Sequence, residues 1–485
     1  MRYLLIIFLA VLSVGSLKAQ EGNNTIYFLD NLPQRVRVNP SYQPEYNAWV
    51  GLPGLSGVQV NFVSTSFGVE DLLKKKSFGR TDSVVIDLNS FHNALKKYNA
   101  ILFSNELPLL TVGFRVKSWY ATLDITEKSD FSFSFNKDLF TFLKEGNAGY
   151  LGKTFDFGKL GINATAYVET ALGLSKVVND RLTVGARLKV LFGIANIKMI
   201  DSELSVESVG DGEILRLHSK QNIRASIPLE PMPVGEFVDW DKLKFDDDDL
   251  SASMVTGNLG FGVDLGGQYK LLDRLTLHAS LVDLGFIRWS ENTHAFTQDK
   301  TFDWIGADIS NSVNENNPGH ISMNDAFENL TDSIKDEFRL VNNVGAYSTM
   351  LHTKFYAGAT YQLCKMINVG GLVKASIMNK HFYPSLAFSG NVRLLRNVSV
   401  AVTYSMMAGN YANIGAGLTA KLGPFQLYAV TDNTLAANYT AARNLNARVG
   451  INLLFGHHEK VERRRERREM RHTERHQIST EQVKF

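Results

Sequence analysis

Between Leu182 and Val190 the chain reads Leu-Thr-Val-Gly-Ala-Arg-Leu-Lys-Val. Side chains of a β-strand point to opposite faces in turn. As a strand, this stretch puts Leu182, Val184, Ala186, Leu188 and Val190 on one face and Thr183, Gly185, Arg187 and Lys189 on the other. The first face suits hydrocarbon and the second cannot meet it, so the strand must separate two environments. Two distant segments obey the same rule. Phe261, Val263, Leu265, Gly267, Tyr269 and Leu271 alternate with Gly260, Gly262, Asp264, Gly266, Gln268 and Lys270. Leu445, Ala447, Val449, Ile451, Leu453 and Phe455 alternate with Asn446, Arg448, Gly450 and Asn452.

Soluble sandwiches also alternate, so strand length and connection length have to discriminate. Alternating runs of about 9 to 11 residues match a tilted bilayer crossing, whereas globular strands are mostly about 5 to 6 residues long. Short turns at Asn179-Asp180, Leu272-Asp273, Lys365-Met366, Leu395 to Asn397 and Gly423-Pro424 contrast with the long connection from Glu291 to Met350. That asymmetry marks a transmembrane barrel. The reading is an all-β protein: a transmembrane antiparallel β-barrel of about 14 strands over residues 57–456, the first strand running from Gly57 to Ser66. Residues 201–250 and 291–350 are expected to be extracellular insertions, with Asp211-Gly212 a turn at the tip of a hairpin. If that hairpin crosses the membrane twice, the count becomes sixteen.

Export is written at the start. Arg2, the apolar run Leu4 to Val14 and the small residues Ser16 and Ala19 read as a signal peptide over residues 1–19, cleaved before Gln20. Beyond it no stretch reaches the roughly 18 to 20 apolar residues of a membrane helix, so a membrane location requires strands. The expected address is the outer membrane, in contact with its lipid and with both termini periplasmic. A net charge of +2 with 21% charged residues points to no nucleic acid, and the single Cys364 excludes an internal disulfide framework.

Residues 20–56 show no clean period and are rich in Pro, Gly and aromatic residues. Asn39, Pro40, Tyr42, Tyr46 and Trp49 lie there, and the aromatic side chains would be costly to leave in water. The segment is expected to fold into the barrel mouth as a plug or hatch. The strand register turns Arg115, Glu169, Arg187, Lys189, Asp264, Lys270, Lys374 and Arg448 toward the lumen, as a hydrated lining that pairs its own charges or as a selectivity lining. Residues 457–485 form a charged tail, where His457 and His458 precede Arg463 to Arg465 and Arg467-Arg468 set among Glu462, Glu466 and Glu469. This suits an exposed helix with i to i+4 pairs, or a periplasmic contact with anionic headgroups or a protein partner.

No chemistry-bearing motif stands out. G-x-S-x-G, H-E-x-x-H, P-loop and C-x-x-C patterns are missing from the sequence, and Gly260-Phe261-Gly262 sits inside an alternating strand with no third glycine. His278 and Ser280 share an inward face, the wrong side for a barrel lipase. Asp246 to Asp249 lacks the spacing and turn glycine of a calcium loop and reads as solvated. The expectation is no enzyme, no cofactor and no metal.

The stretch Asn39-Pro40, then Trp49 to Gly57 reading WVGLPGLSG, resembles an uncharacterised Bacteroidota outer-membrane family related to FadL-like and PorV-like barrels. Thr431-Asp432-Asn433 and Asn446 to Gly456, reading NARVGINLLFG, are similar to that family too. The resemblance implies a FadL-like barrel with an N-terminal plug and a passive transporter of small or hydrophobic molecules. Its alternative implication is a PorV-like structural or assembly partner that holds other envelope proteins through its loops or tail. It brings no catalytic residue, and the charged tail departs from barrels that end on their last strand.

Overall fold

The computed structural model describes residues 22–78, 81–146, 150–158, 160–210, 214–227, 257–304, 341–342, 345–378, 381–395, 397–407, 410–434 and 443–457. The signal segment, Asp211-Gly212, Asp246 to Asp249 and the tail beyond His457 lie outside the described residues.

Fourteen antiparallel strands form the wall. β1 comes in two arms, Tyr46–Gly51 and Val58–Ser64, and both arms pair with the same two neighbours. There follow β2 (Tyr98–Val116), β3 (Trp119–Asn136), β4 (Gly161–Val177), β5 (Leu182–Val209), β6 (Asn258–Leu272) and β7 (Leu275–Trp289). The second half is β8 (Thr353–Gln362), β9 (Ile367–Met378), β10 (His381–Leu395), β11 (Val398–Met407), β12 (Asn410–Leu422), β13 (Phe425–Thr431) and β14 (Asn444–His457). Each strand pairs with the next, and the ring closes where Trp49 and Val58 of β1 lie opposite Leu454 and Val449 of β14.

The count stays at fourteen because of where the extra hairpin sits. Its strand Ile214–Ser226 pairs with the upper part of β5, from Asn196 to Val209, and with the strand Thr293–Trp304 that continues β7. β6 takes the lower part of β5, from Leu182 to Gly193. The hairpin therefore extends the wall at the long-loop end and adds no crossing. Residues 201–209, 214–226 and 293–304 are thus sheet within the expected insertions.

Burial is inverted relative to a soluble protein. Leu188 is 68% exposed while its neighbours Arg187 and Lys189 are 2% exposed. Leu172, Phe261, Leu265, Phe355, Val402, Leu418 and Val449 are exposed as well, forming a belt that belongs in hydrocarbon. Several strands run past the alternating core of their sequence. β2 begins at Tyr98, β3 continues to Asn136 and β5 to Val209, because above the membrane both faces of a strand can be wet and alternation is no longer required.

Inside the ring lies the N-terminal segment, with α1 (Asn24–Phe28) and a 3-10 turn (Pro33–Arg37). Ile26, Tyr27, Phe28, Leu29, Leu32 and Val38 form one buried cluster with Val282, Tyr356, Leu372, Ala387, Ala401, Tyr428 and Val430 of the wall. The boundary expected at residue 56 is corrected. Tyr46 and Trp49 belong to the wall, in the first arm of β1, and only Leu52 to Gly57 is irregular. Trp49 is fully buried in a cluster with Tyr46, Tyr120 and Leu454, over Gly113 of β2, where a β-carbon would overlap the indole. Main-chain pairing on both sides explains the correction: Ala48 to Gly51 satisfy their backbone groups in the sheet.

Candidate functional site

The inward faces of eight wall strands and the 3-10 turn of the N-terminal segment meet in one ionic lattice. Arg187 Nη2 donates to Asp124 Oδ2 at 2.9 Å and its Nη1 to Asp264 Oδ2 at 3.1 Å. Lys189 Nζ lies 2.7 Å from Asp264 Oδ1, 2.5 Å from Asp283 Oδ1 and 3.4 Å from Glu169 Oε2. Lys128 Nζ donates to Glu169 Oε2 at 2.8 Å, and Lys354 Nζ sits 3.4 Å from Asp283 Oδ2. From the 3-10 turn, Arg37 lies 3.3 Å from Asp124 and 3.6 Å from Glu106. Arg448 Nη2 donates to Glu106 Oε2 at 2.9 Å. Desolvating these groups is costly, and only mutual pairing makes the arrangement tolerable.

The expected lumen residues divide by height. Glu169, Arg187, Lys189, Asp264 and Arg448 are all in the lattice. Lys374 is buried but elsewhere, donating from Nζ to the Gly22 carbonyl at 2.9 Å. Arg115 sits at the short-turn end, where it donates to Gln43 Oε1 at 2.5 Å and to the Pro44 carbonyl at 2.7 Å. Lys270 shares the parity of Asp264 but is exposed at the short-turn rim, away from the lattice. Asn39, Pro40 and Tyr42 lie in the internal segment, with Asn39 and Pro40 against Gly266 and Pro40 against Gly185. A β-carbon at Gly185 would overlap the Pro40 carbonyl.

Sequence reasoning missed Arg37, Glu106, Asp124, Lys128, Asp283 and Lys354. Alternation could have found Asp124 and Lys128, which share parity with Thr122 and Thr126 on β3. Asp283 was beyond it. Val282 and Asp283 are both buried because the β6–β7 register shifts there, with Asp283 at φ 60° and its N–H donating to Asp264 Oδ1 at 2.7 Å. A bulge flips the side chain that simple parity sends to lipid.

The internal segment is tied down at many points. Thr25 N–H donates to Asp432 Oδ1 at 2.7 Å and Asn24 N–H to Asp432 Oδ2 at 3.2 Å, so a wall carboxylate caps α1. Gln34 and Asn452 exchange amide hydrogen bonds of 2.6 and 3.0 Å. Its apolar leg packs on β7 to β13, whereas its returning leg meets the lattice through Arg37. On that ionic side three cavities follow one another from the long-loop end, with volumes of about 60, 40 and 20 Å³. The first two share Asn61, Ser104, Asp130, Thr165 and His352; the last two share Glu106, Lys128, Asp283 and Lys354. Asn23, Ile26, Arg37 and Val38 of the internal segment line the lowest.

Comparison with known proteins finds one family model, a family of unknown function (DUF5723), matching residues 40–432. No curated protein matches the chain. Among solved structures, the chain is similar to the toluene transporter TbuX of Ralstonia pickettii, with a TM-score of 0.41 and 8% identity over 86% of this chain and 92% of that one. It is also similar to the toluene transporter TodX of P. putida, at TM-score 0.38 and 10% identity over 91% and 97% of the two chains. A FadL homologue of Pseudomonas aeruginosa gives TM-score 0.37 and 10% identity over 90% and 97%. The chain belongs to the DUF5723 family.

Proposed function

We propose that this family member is an outer-membrane barrel through which small polar solutes pass passively, and that residues 22–45 hold it shut at rest. The observation that carries the reading is the row of narrowing cavities that begins at the long-loop end and stops on the internal segment. The upper cavity is lined in part by Val63, Leu102, Phe131, Ile197 and Met350, but below it the lining supports a polar solute: Asn61, Ser104, Asp130, Thr165 and His352 lead down to paired charges, which a hydrocarbon could cross only by giving up the pairing. Asymmetric anchoring supports a gate. The apolar leg has no reason to leave its cluster, while the leg carrying Arg37 can exchange ion pairs with water or solute.

Deleting Asn23 to Pro44 spares both arms of β1 and tests the reading in planar bilayers. The intact protein is expected to be nearly silent, and the deletion to show discrete conductance for small ions. A deletion that folds and inserts but stays silent rejects the gate.

A further inference from the structure

Acceptors are unevenly spread in the lattice. The described ion pairs join Arg37, Lys128, Arg187, Lys189, Lys354 and Arg448 to Glu106, Asp124, Glu169, Asp264 and Asp283, and Asp130 adjoins Lys128 and Lys354 in the cavity above. The shortage of acceptors is at two guanidiniums. Two guanidiniums, Arg37 and Arg448, share the single carboxylate of Glu106, and Arg37 also shares Asp124 with Arg187. Arg448 is 4% exposed, yet its Nε and Nη1 have no hydrogen-bond acceptor among the described residues, and the same holds for Arg37 Nη1. Both side chains line the lowest cavity, of about 20 Å³, where all six cations but only three of the five carboxylates appear. Buried guanidinium donors left without acceptors cost free energy on the scale of a lost charged hydrogen bond.

We infer that this cavity is a binding site for a compact oxyanion, held between Arg37 and Arg448 with Lys354 at its edge. The chemistry selects the ligand. Guanidinium forks match the paired oxygens of a carboxylate or phosphate, and about 20 Å³ leaves room for a compact ion or one or two waters but for no extended tail. The cavity above, which shares Glu106, Lys128, Asp283 and Lys354, supplies the approach from the long-loop end. The anion completes the acceptor set where the internal segment meets the wall. Its occupancy stabilises the closed state, because Arg37 belongs to that segment and Arg448 to β14.

The test uses the full mature protein, folded in detergent, with inorganic phosphate and formate as probes against chloride at matched ionic strength. Thermal unfolding and calorimetric titration are the readouts. Either probe is expected to raise the melting temperature in a saturable way. Arg448→Met should weaken binding about tenfold or more, the loss expected from one charged hydrogen bond. Glu106→Gln should tighten it, because it removes the competing carboxylate. These opposite signs cannot come from general damage, and Glu106→Gln keeps the proposal testable if Arg448→Met fails to fold. No response to either probe, or equal responses from all three proteins, overturns the proposal. Binding is read on the closed barrel, so that result would leave the conductance reading standing, and a silent deletion would leave this one standing.

Discussion

Arg187 and Leu188 are adjacent in the chain and opposite in environment, which makes them the sharpest pair for a residue-scale test. Leu188→Arg puts a charge on the lipid face and should destabilise the folded barrel by about 2 to 4 kcal/mol if it lies near the midplane. From alternation alone, Arg187→Leu reads as the mild partner, a polar wall position made apolar. Its contacts say otherwise. Arg187 holds Asp124 and Asp264 at 2.9 and 3.1 Å, and its loss leaves buried carboxylates short of a partner, at a cost of about 3 to 5 kcal/mol. Urea unfolding in lipid vesicles should therefore show both variants destabilised, and the loss in Arg187→Leu alone should shrink when Asp264→Asn is added. The inward direction of Arg187 was legible in the sequence because strand parity is a local property. Its partners were not, since they depend on strand register: Asp264 lies directly opposite Arg187 on β6, and Asp124 reaches it from β3, two strands away across β4.

At the scale of the element, the internal segment behaves as a strap with one firm and one yielding leg. Asp432 closes the firm leg by accepting from the first N–H groups of α1. Asp432→Ala should cost about 1 kcal/mol, the usual value of a lost helix cap. Its readout is more frequent brief openings in single-channel records, and unchanged records would show that the cap is not part of the latch. The sequence made the segment recognisable by its lack of period and by Pro40, Pro44 and Pro53, but it set the boundary too late. Tyr46 to Gly51 alternates too briefly to stand out, and the break at Leu52 to Gly57 separates it from the longer arm it belongs with. A strand split by six irregular residues becomes a single strand only beside β2 and β14.

At the scale of the molecule, the long connections gather at one end and the short turns at the other, so one measurement fixes orientation. An epitope inserted at Gly152, an exposed left-handed turn between β3 and β4, is expected to be cut by protease on intact cells. Protection until the outer membrane is broken would reverse the barrel. The fourteen-strand ring was countable in advance because every crossing must alternate. Above the membrane a hairpin was expected from Asp211-Gly212, but the prolonged β5 and the pairing of Ile214–Ser226 with Thr293–Trp304 were hidden, because wet sheet is free of that constraint. The cap on α1 also says something about time. Thr25 and Asp432 are 407 residues apart, and Gln34 and Asn452 are 418 apart. The first described part of the chain has its partners among the last, so its contacts can form only once nearly the whole wall is present. A barrel whose wall closed first would stand hollow until the strap folded in from its short-turn end, so being shut is here a matter of assembly order as much as of binding.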